Sequence, residues 1–230
     1  MENSLAAFRR AVDEGFHYLE TDVHATADGI VVVHHDETLD RTTDAAGTVA
    51  SQLWTVVRRA LVAGNEPVCR LDHLFEELPR TKINVDVKAD SAVEPMVELL
   101  RRTNAWDRVC LASFSERRLN RLRRLGGERL LTGLGSRSAA ALRMRSWAPW
   151  LVRPPIRGWL AQLPRRRGRL RVVDGSLVRY AHRRGIEVHV WTVDSPAEMV
   201  ELLDLGVDGL VTDRPDVLRE ILRQRGDWPT

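Results

Sequence analysis

The chain has 230 residues, 43% of them apolar and 29% charged, which is enough for one substantial domain with a well-buried core. Basic residues number 35 against 32 acidic, a formal charge of +3, and their interleaving means that the balance alone does not imply a nucleic-acid partner. Cys69 and Cys110 lack metal or redox spacing, no signal-peptide pattern opens the chain, and no apolar run is long enough to span a bilayer. The chain therefore reads as a cytosolic protein with buried free thiols.

Residues 1–15 predict a helix that Ser4 caps, with Leu5, Phe8 and Val12 as its apolar stripe and Gly15 as its stop. A strand follows at 17–23. Asp28-Gly29 then lies between two β-prone runs and predicts a two-residue hairpin turn. Short helices are expected at 53–61 and 71–78, the second closed by Pro79. From there strand and helix alternate. Strands are expected at 82–88, 108–114, 130–134, 171–174, 187–193 and 209–213. The helices between and after them fall near 92–103, behind Ser115, at 137–146, before Gly185, behind Ser195-Pro196, and at 216–225. This rhythm predicts a single parallel α/β domain over 1–230. It contains seven strands followed by helices, where a (β/α)₈ barrel has eight.

The chemistry-bearing residues gather on the first hairpin. If Ala27 pairs with Ile30, Asp22 lies across from His35, at about 5 Å between Cα atoms. Residues two apart on a strand share a face, as do cross-strand partners. Glu20, Asp22 and His35 would then converge, and a bulge would present His34 instead. Two carboxylates beside an imidazole suit a divalent cation and proton transfer, although a Glu-x-Asp on a strand is more often only a polar face. Asp86 and Lys88 form a second pair, two apart at a strand end, for which a local ion pair is the plain alternative. His17, His73, His182 and His189 read as structural, and His24, near the hairpin tip, as solvated or supporting.

The stretch ETDVHATADGIVVVHHDETLDRTT, residues 20–43, resembles the signature of the glycerophosphodiester phosphodiesterase family: a His-Arg pair, then Glu-x-Asp, then His-Asp. The similarity runs through the whole chain. It implies a (β/α)₈ TIM barrel of the phospholipase C-like phosphodiesterase type and metal-dependent hydrolysis of glycerophosphodiesters to sn-glycerol 3-phosphate and an alcohol. By the same resemblance Glu20, Asp22 and Asp86 hold the metal, Asp86 standing where the family carries a glutamate. His35 matches a catalytic histidine, Lys88 the lysine that binds the substrate phosphate, and Trp191 an active-site tryptophan. Ser113-Phe114 and Thr212-Asp213 match other strand ends. An all-oxygen ligand set suits Mg²⁺ or Ca²⁺.

In the family, a strand carrying the His-Arg pair precedes the Glu-Asn-Thr that opens the first helix. Glu2-Asn3-Ser4 matches the latter, and the sequence holds no His-Arg strand before it. Two expectations follow: a true start upstream of Met1, or a weak or inactive enzyme that binds phosphodiesters without turnover. A lysophospholipase D-like enzyme is a further alternative. Its support is the segment 143–169, which mixes Trp147, Trp150 and Trp159 with arginines and Pro154-Pro155. Such a segment suits an anionic membrane surface or a cover over a lipid-derived substrate. More commonly it is a long strand–helix loop with its tryptophans packed and its arginines in solvent.

Overall fold

The computed structural model describes residues 2–148, 150 and 155–228. Expectations that fall on Met1, on Pro154 and on the rest of 149 and 151–154 lie outside the described residues. The chain divides into two compact units, Met1–Thr132 and Gly133–Thr230.

In the first unit, α1 (Leu5–Asp13) begins at Ser4, whose hydroxyl accepts from the Ala7 amide at 3.3 Å and so satisfies one of the helix's orphan donors. Strands β1 (Tyr18–Ala25) and β2 (Val31–Val33) form the predicted hairpin. After β2 come a short helix, α2 (Trp54–Val57), and a two-stranded ribbon, β3 (Leu61–Val62) with β4 (Glu66–Pro67). They close a small core of their own around Val32, Leu39, Val49, Val57, Ala60, Val62 and Val68. The main alternation then runs α3 (Leu71–Glu77), β5 (Lys82–Val87), α4 (Val93–Thr103), β6 (Val109–Ala112), α5 (Glu116–Gly126) and β7 (Leu131–Thr132).

The sheet order is β2-β1-β5-β6-β7, with β1, β5, β6 and β7 parallel and β2 antiparallel at the edge. Strand periodicity separates its two faces. Leu19, Val23, Ile83, Val85, Val87, Val109 and Leu111 pack against Leu71, Leu74, Met96, Leu100, Leu119 and Leu122 of the helices. Each such side chain contributes about 1.5–3 kcal/mol by leaving water. The opposite face carries Glu20, Asp22 and His24 on β1, and Asn84 and Asp86 on β5, with Lys88 just beyond. The register sets Glu20 beside Asn84 and Asp22 beside Asp86.

The hairpin departs from its expected register. Val23 pairs with Val33 and Ala25 with Val31, and the His34 amide donates to the Asp22 carbonyl at 2.9 Å. Asp22 therefore lies across from His34, not His35. The cause is a turn one residue longer. The Gly29 amide donates to the Thr26 carbonyl and Thr26 closes on Ile30, so that Ala27, Asp28 and Gly29 form a three-residue loop with Gly29 at φ +79°.

The second unit runs α6 (Ser136–Trp147), β8 (Leu160–Pro164), the ribbon β9 (Arg166–Arg167) with β10 (Leu170–Arg171), α7 (Gly175–His182), β11 (Glu187–Trp191), α8 (Pro196–Asp204), β12 (Gly209–Leu210) and α9 (Pro215–Arg225). Its sheet is β8-β11-β12, all parallel. With the four of the first unit, seven parallel strands stand among the described residues, as expected, but one comes from another place. The expected strand at 171–174 is absent: Asp174 instead caps α7, accepting from the amides of Ser176 and Leu177. The strand that fills its place is β8, with Leu160, Ala161 and Leu163 buried.

The stretch 143–169 is accordingly not one long loop. Residues 143–147 complete α6 and 160–164 are β8. Between them only 148, 150 and 155–159 are described, and 155–159 lead into the start of β8. Gly158 sits where a Cβ would come within 2.5 Å of the Gly133 carbonyl oxygen, so only glycine allows the chain to pass there. Trp147 and Trp159 are 53% and 61% exposed, so neither is packed away.

Candidate active site

Asp22 and Asp86 are brought side by side by the β1–β5 register, at the ends where both strands terminate. The Lys88 backbone amide continues the ladder to the Val23 carbonyl at 3.1 Å, which returns its side chain over the same face. Its Nζ stands 2.8 Å from Asp22 Oδ1 and 2.9 Å from Asp86 Oδ2, with all three side chains largely shielded from water. Burial pulls the Lys88 pKa down, but Asp86 and Asp22 together outweigh it and hold the ammonium above its ordinary value.

Asp22 is fixed from its other side. Its Oδ2 accepts from Asn3 Nδ2 at 3.0 Å, while Asn3 Oδ1 accepts from the Thr21 hydroxyl at 2.7 Å. Asn3 was legible only as part of the motif opening α1; its grip on Asp22 depends on chain folding that brings residues 3 and 22 together. Phe114, expected with Ser113 at a strand end, stands beside this group. It lies just beyond β6, 64% exposed, with Lys88 Nζ 5.9 Å from its ring centroid. Behind it Ser113 Oγ donates to the Val87 carbonyl at 2.8 Å, and Arg118 donates to both, tying the ends of β5 and β6 together.

Two buried oxygens on β5, Asp86 Oδ1 and Asn84 Oδ1, have no hydrogen-bond partner among the described residues. Orphaned buried acceptors are costly, so each invites a cation or a donor. No three His, Cys, Asp or Glu side chains among the described residues converge closely enough to hold a metal ion. The Lys88 ammonium supplies the positive charge between Asp22 and Asp86, and Glu20 lies one step back on the same face. The oxygens of Asp22, Asp86 and Glu20, with Asp86 Oδ1 orphaned, are the donor type that Mg²⁺ or Ca²⁺ takes, in an arrangement that does not yet bring three of them together.

His35 is not opposite Asp22. Its side chain is 51% exposed, and its Nδ1 lies 2.6 Å from Asp36 Oδ1. Arg41 donates to both Asp36 oxygens and also reaches Glu2, so a chain of charge-assisted bonds runs Glu2–Arg41–Asp36–His35. Arg41, and then His35, hold the Asp36 carboxyl well below the usual carboxylate range. The arrangement fixes the imidazole through Nδ1 and leaves Nε2 without a hydrogen-bond partner among the described residues, an orientation suited to proton transfer. His34 is the buried neighbour, with its Nε2 2.9 Å from the Thr38 carbonyl. His24 is also buried and supports the turn through the His35 carbonyl at 3.2 Å; burial holds its pKa down.

In the second unit Trp191 ends β11, half-buried, in register with Pro164 at the end of β8. Thr212 and the Asp213 amide both bond Asp194 Oδ1 at 2.9 Å, as framework.

The glycerophosphoryl diester phosphodiesterase family model matches residues 1–217. A Mycobacterium tuberculosis protein named probable glycerophosphodiester phosphodiesterase 2 is 41% identical over 98% of this chain and 87% of its own length. Among solved structures, a glycerophosphodiester phosphodiesterase from Agrobacterium tumefaciens is 25% identical, with a TM-score of 0.77 over 96% of this chain and 93% of its own. An Oleispira antarctica phosphodiesterase in complex with the product sn-glycerol-3-phosphate is 19% identical, with a TM-score of 0.80 over 96% and 91%. The fold is that of the α/β phosphodiesterase barrels, and the chain belongs to the glycerophosphoryl diester phosphodiesterase family.

Proposed function

We propose that this protein hydrolyses glycerophosphodiesters to sn-glycerol 3-phosphate and an alcohol. The observation that carries the reading is Lys88 poised between Asp22 and Asp86 at the ends of β1 and β5, beside an Asp86 oxygen that lacks a partner. Family membership supports it, as does the product named for the Oleispira relative. Water supplies the oxygen that forms the new P–O bond, the bond from phosphorus to the alcohol breaks, and the leaving alkoxide must take a proton.

In this reading Lys88 binds the anionic phosphate and offsets the charge that builds on it in the transition state. His35, oriented through Nδ1 by Asp36, transfers the proton at Nε2. Phe114 offers an apolar wall to the carbon skeleton beside the phosphate. Trp191 is assigned to substrate binding from its place at the end of β11. Glu20, Asp22 and Asp86 would hold Mg²⁺ or Ca²⁺, which would supply Lewis-acid charge to the phosphoryl oxygens.

The lysophospholipase D alternative rested on 143–169 covering a lipid-derived substrate. Part of that segment lies outside the described residues, and comparing turnover of glycerophosphocholine with that of lysophosphatidylcholine separates the two readings. No helix among the described residues is long and apolar enough to cross a membrane.

The test is release of sn-glycerol 3-phosphate from glycerophosphocholine with Mg²⁺ or Ca²⁺ present, followed by a coupled dehydrogenase. Turnover by the wild type that falls in Lys88→Met and His35→Gln is expected. Intact substrate after prolonged incubation, with binding still measurable, would move the non-catalytic binding module ahead.

A further inference from the structure

The carboxylate pair at the ends of β1 and β5 already holds a cation that belongs to the chain. Of the 35 basic residues only Lys82 and Lys88 are lysines, and one of them lies between Asp22 and Asp86. Its Nζ is 2.8 Å from Asp22 Oδ1 and 2.9 Å from Asp86 Oδ2, with the side chain 19% exposed. Asp22 Oδ2 is taken by Asn3. Of the four carboxylate oxygens, Asp86 Oδ1 alone is left without a partner among the described residues. All of these groups belong to the first unit.

A divalent cation bridging the two carboxylates needs an oxygen from each, at about 2.0–2.6 Å. On Asp22 that means displacing Asn3 or Lys88, because sharing an oxygen with the ammonium would bring two cations into close repulsion inside a shielded site. Asn3 is anchored: its Oδ1 accepts from the Thr21 hydroxyl at 2.7 Å, and Thr21 is fully buried. The ammonium is the movable partner. It ends a flexible four-carbon stem, and the exposed Phe114 ring, 5.9 Å from Nζ, offers it a second resting place. Charge favours the same exchange, since one ammonium leaves the carboxylate pair net negative and a divalent cation neutralises it. An arginine would suit the position poorly, because its planar fork clamps carboxylates in a fixed geometry while an ammonium is a compact point charge.

We propose that the Lys88 ammonium plugs the Asp22–Asp86 pair, that a divalent cation enters the pair only by displacing it, and that the released lysine then turns to the substrate phosphate. The last step rests on the hydrolytic reading above; the exchange at the carboxylates does not. Cation and phosphate binding are thereby linked, each favouring the other.

Two measurements test the exchange without using turnover. The first is calorimetric titration of the wild type, Lys88→Met and Lys82→Met with Ca²⁺ and with Mg²⁺. Lys88→Met is expected to bind the cation about tenfold or more tightly than the wild type, since the competing ammonium is gone. The control, Lys82→Met, alters an exposed lysine bonded to Tyr18 and should bind as the wild type does. The second is amine labelling of the wild type at fixed pH, read by mass spectrometry, with Lys82 as internal reference. Lys88 should label several-fold faster with saturating Ca²⁺ than without it, and Lys82 at one rate throughout. Adding sn-glycerol 3-phosphate with the Ca²⁺ should slow Lys88 again.

Equal cation affinity in wild type and folded Lys88→Met would overturn the proposal. Should Lys88→Met fail to fold, labelling decides alone. Equal Lys88 labelling with and without a cation that calorimetry shows to be bound would overturn the exchange even where Lys88→Met binds more tightly, because the ammonium then only repels a cation held beside it. A wild type that binds neither cation at millimolar concentration would overturn it as well. A Lys88 that Ca²⁺ exposes but sn-glycerol 3-phosphate leaves unprotected would overturn the transfer to phosphate. Neither measurement needs hydrolysis. An inactive protein that shows the exchange would therefore defeat the hydrolytic reading alone, and an active one with unchanged Lys88 labelling would defeat the exchange alone.

Discussion

Lys88 and His35 respond differently to substitution because one is shielded between two carboxylates and the other faces solvent. Lys88→Met should lower kcat/KM by about 10²–10³-fold, the usual effect of losing one preorganised charge on the transition state. It should also change the alkaline limb of stability. The folded pKa of Lys88 lies above its unfolded value, so its contribution is complete below about pH 10.4 and fades as pH rises through the folded value. The gap in urea midpoint between wild type and Lys88→Met should therefore narrow as pH climbs from 8 towards 11. Exchanging the adjacent histidines one at a time tests the hairpin register. His35→Gln should cost about 10²–10⁴ in kcat with stability within about 0.5 kcal/mol. His34→Gln should cost about 1–3 kcal/mol of stability through loss of the bond from the buried His34 to the Thr38 carbonyl, with a much smaller effect on kcat. The reverse pattern would transfer the catalytic assignment to His34.

At the level of elements, what was legible depended on how many residues carried each signal. Strands β1, β5 and β11 and the helices behind Ser115 and Pro196 have long runs and clear starts, and they form within a residue or two of where the pattern puts them. The hairpin turn was legible in Asp28-Gly29, but its length was not. One extra loop residue exchanges His34 for His35 across from Asp22. Gly29→Ala should destabilise by about 1 kcal/mol or more, since alanine is strained at φ +79°, and thermal melting would show it. Strand β8 was missed because Leu160-Ala161-Gln162-Leu163 is short, ends in proline and lies among arginines. Val172-Val173-Asp174 was mistaken for a strand, since β-branched residues score alike in or out of a ladder. Asp174 acts instead on α7 and on Arg143, whose guanidinium it meets at 2.6 and 3.0 Å. Arg143 is 7% exposed, so Asp174→Ala should cost about 3 kcal/mol by leaving that charge without its partner and α7 without its cap. Arg143 foremost holds the Asp174 carboxyl well below its usual range. Its contribution is therefore present above about pH 3.9 and lost as pH falls towards the folded value. Urea midpoints of wild type and variant should converge on acidification below pH 4.

For the whole molecule, the division into two compact units sets where a ligand's stabilisation will register. Glu20, Asp22 and Asp86 all belong to the first unit, on adjacent strands of one sheet, while Trp191 belongs to the second. That these carboxylates lie on strands was legible from Glu-x-Asp and Asp-x-Lys; that Lys88 would occupy the space between Asp22 and Asp86 was not, since it depends on which strands become neighbours. A divalent cation that binds the folded chain alone stabilises it by about 2.7 kcal/mol at one hundred times its dissociation constant. Because β1 and β5 share one sheet while β8 and β11 belong to another, local openings of the two units can differ in cost. Hydrogen exchange with and without Mg²⁺ or Ca²⁺ should therefore show added protection at β1 and β5 amides, while amides of β8 and β11 that exchange by local opening stay unchanged. Glu20→Gln/Asp86→Asn should abolish the difference. Protection that appears in β8 and β11 but not in β1 and β5 would place the cation away from these carboxylates, and no protection anywhere, at millimolar metal, would remove the metal from the proposed chemistry.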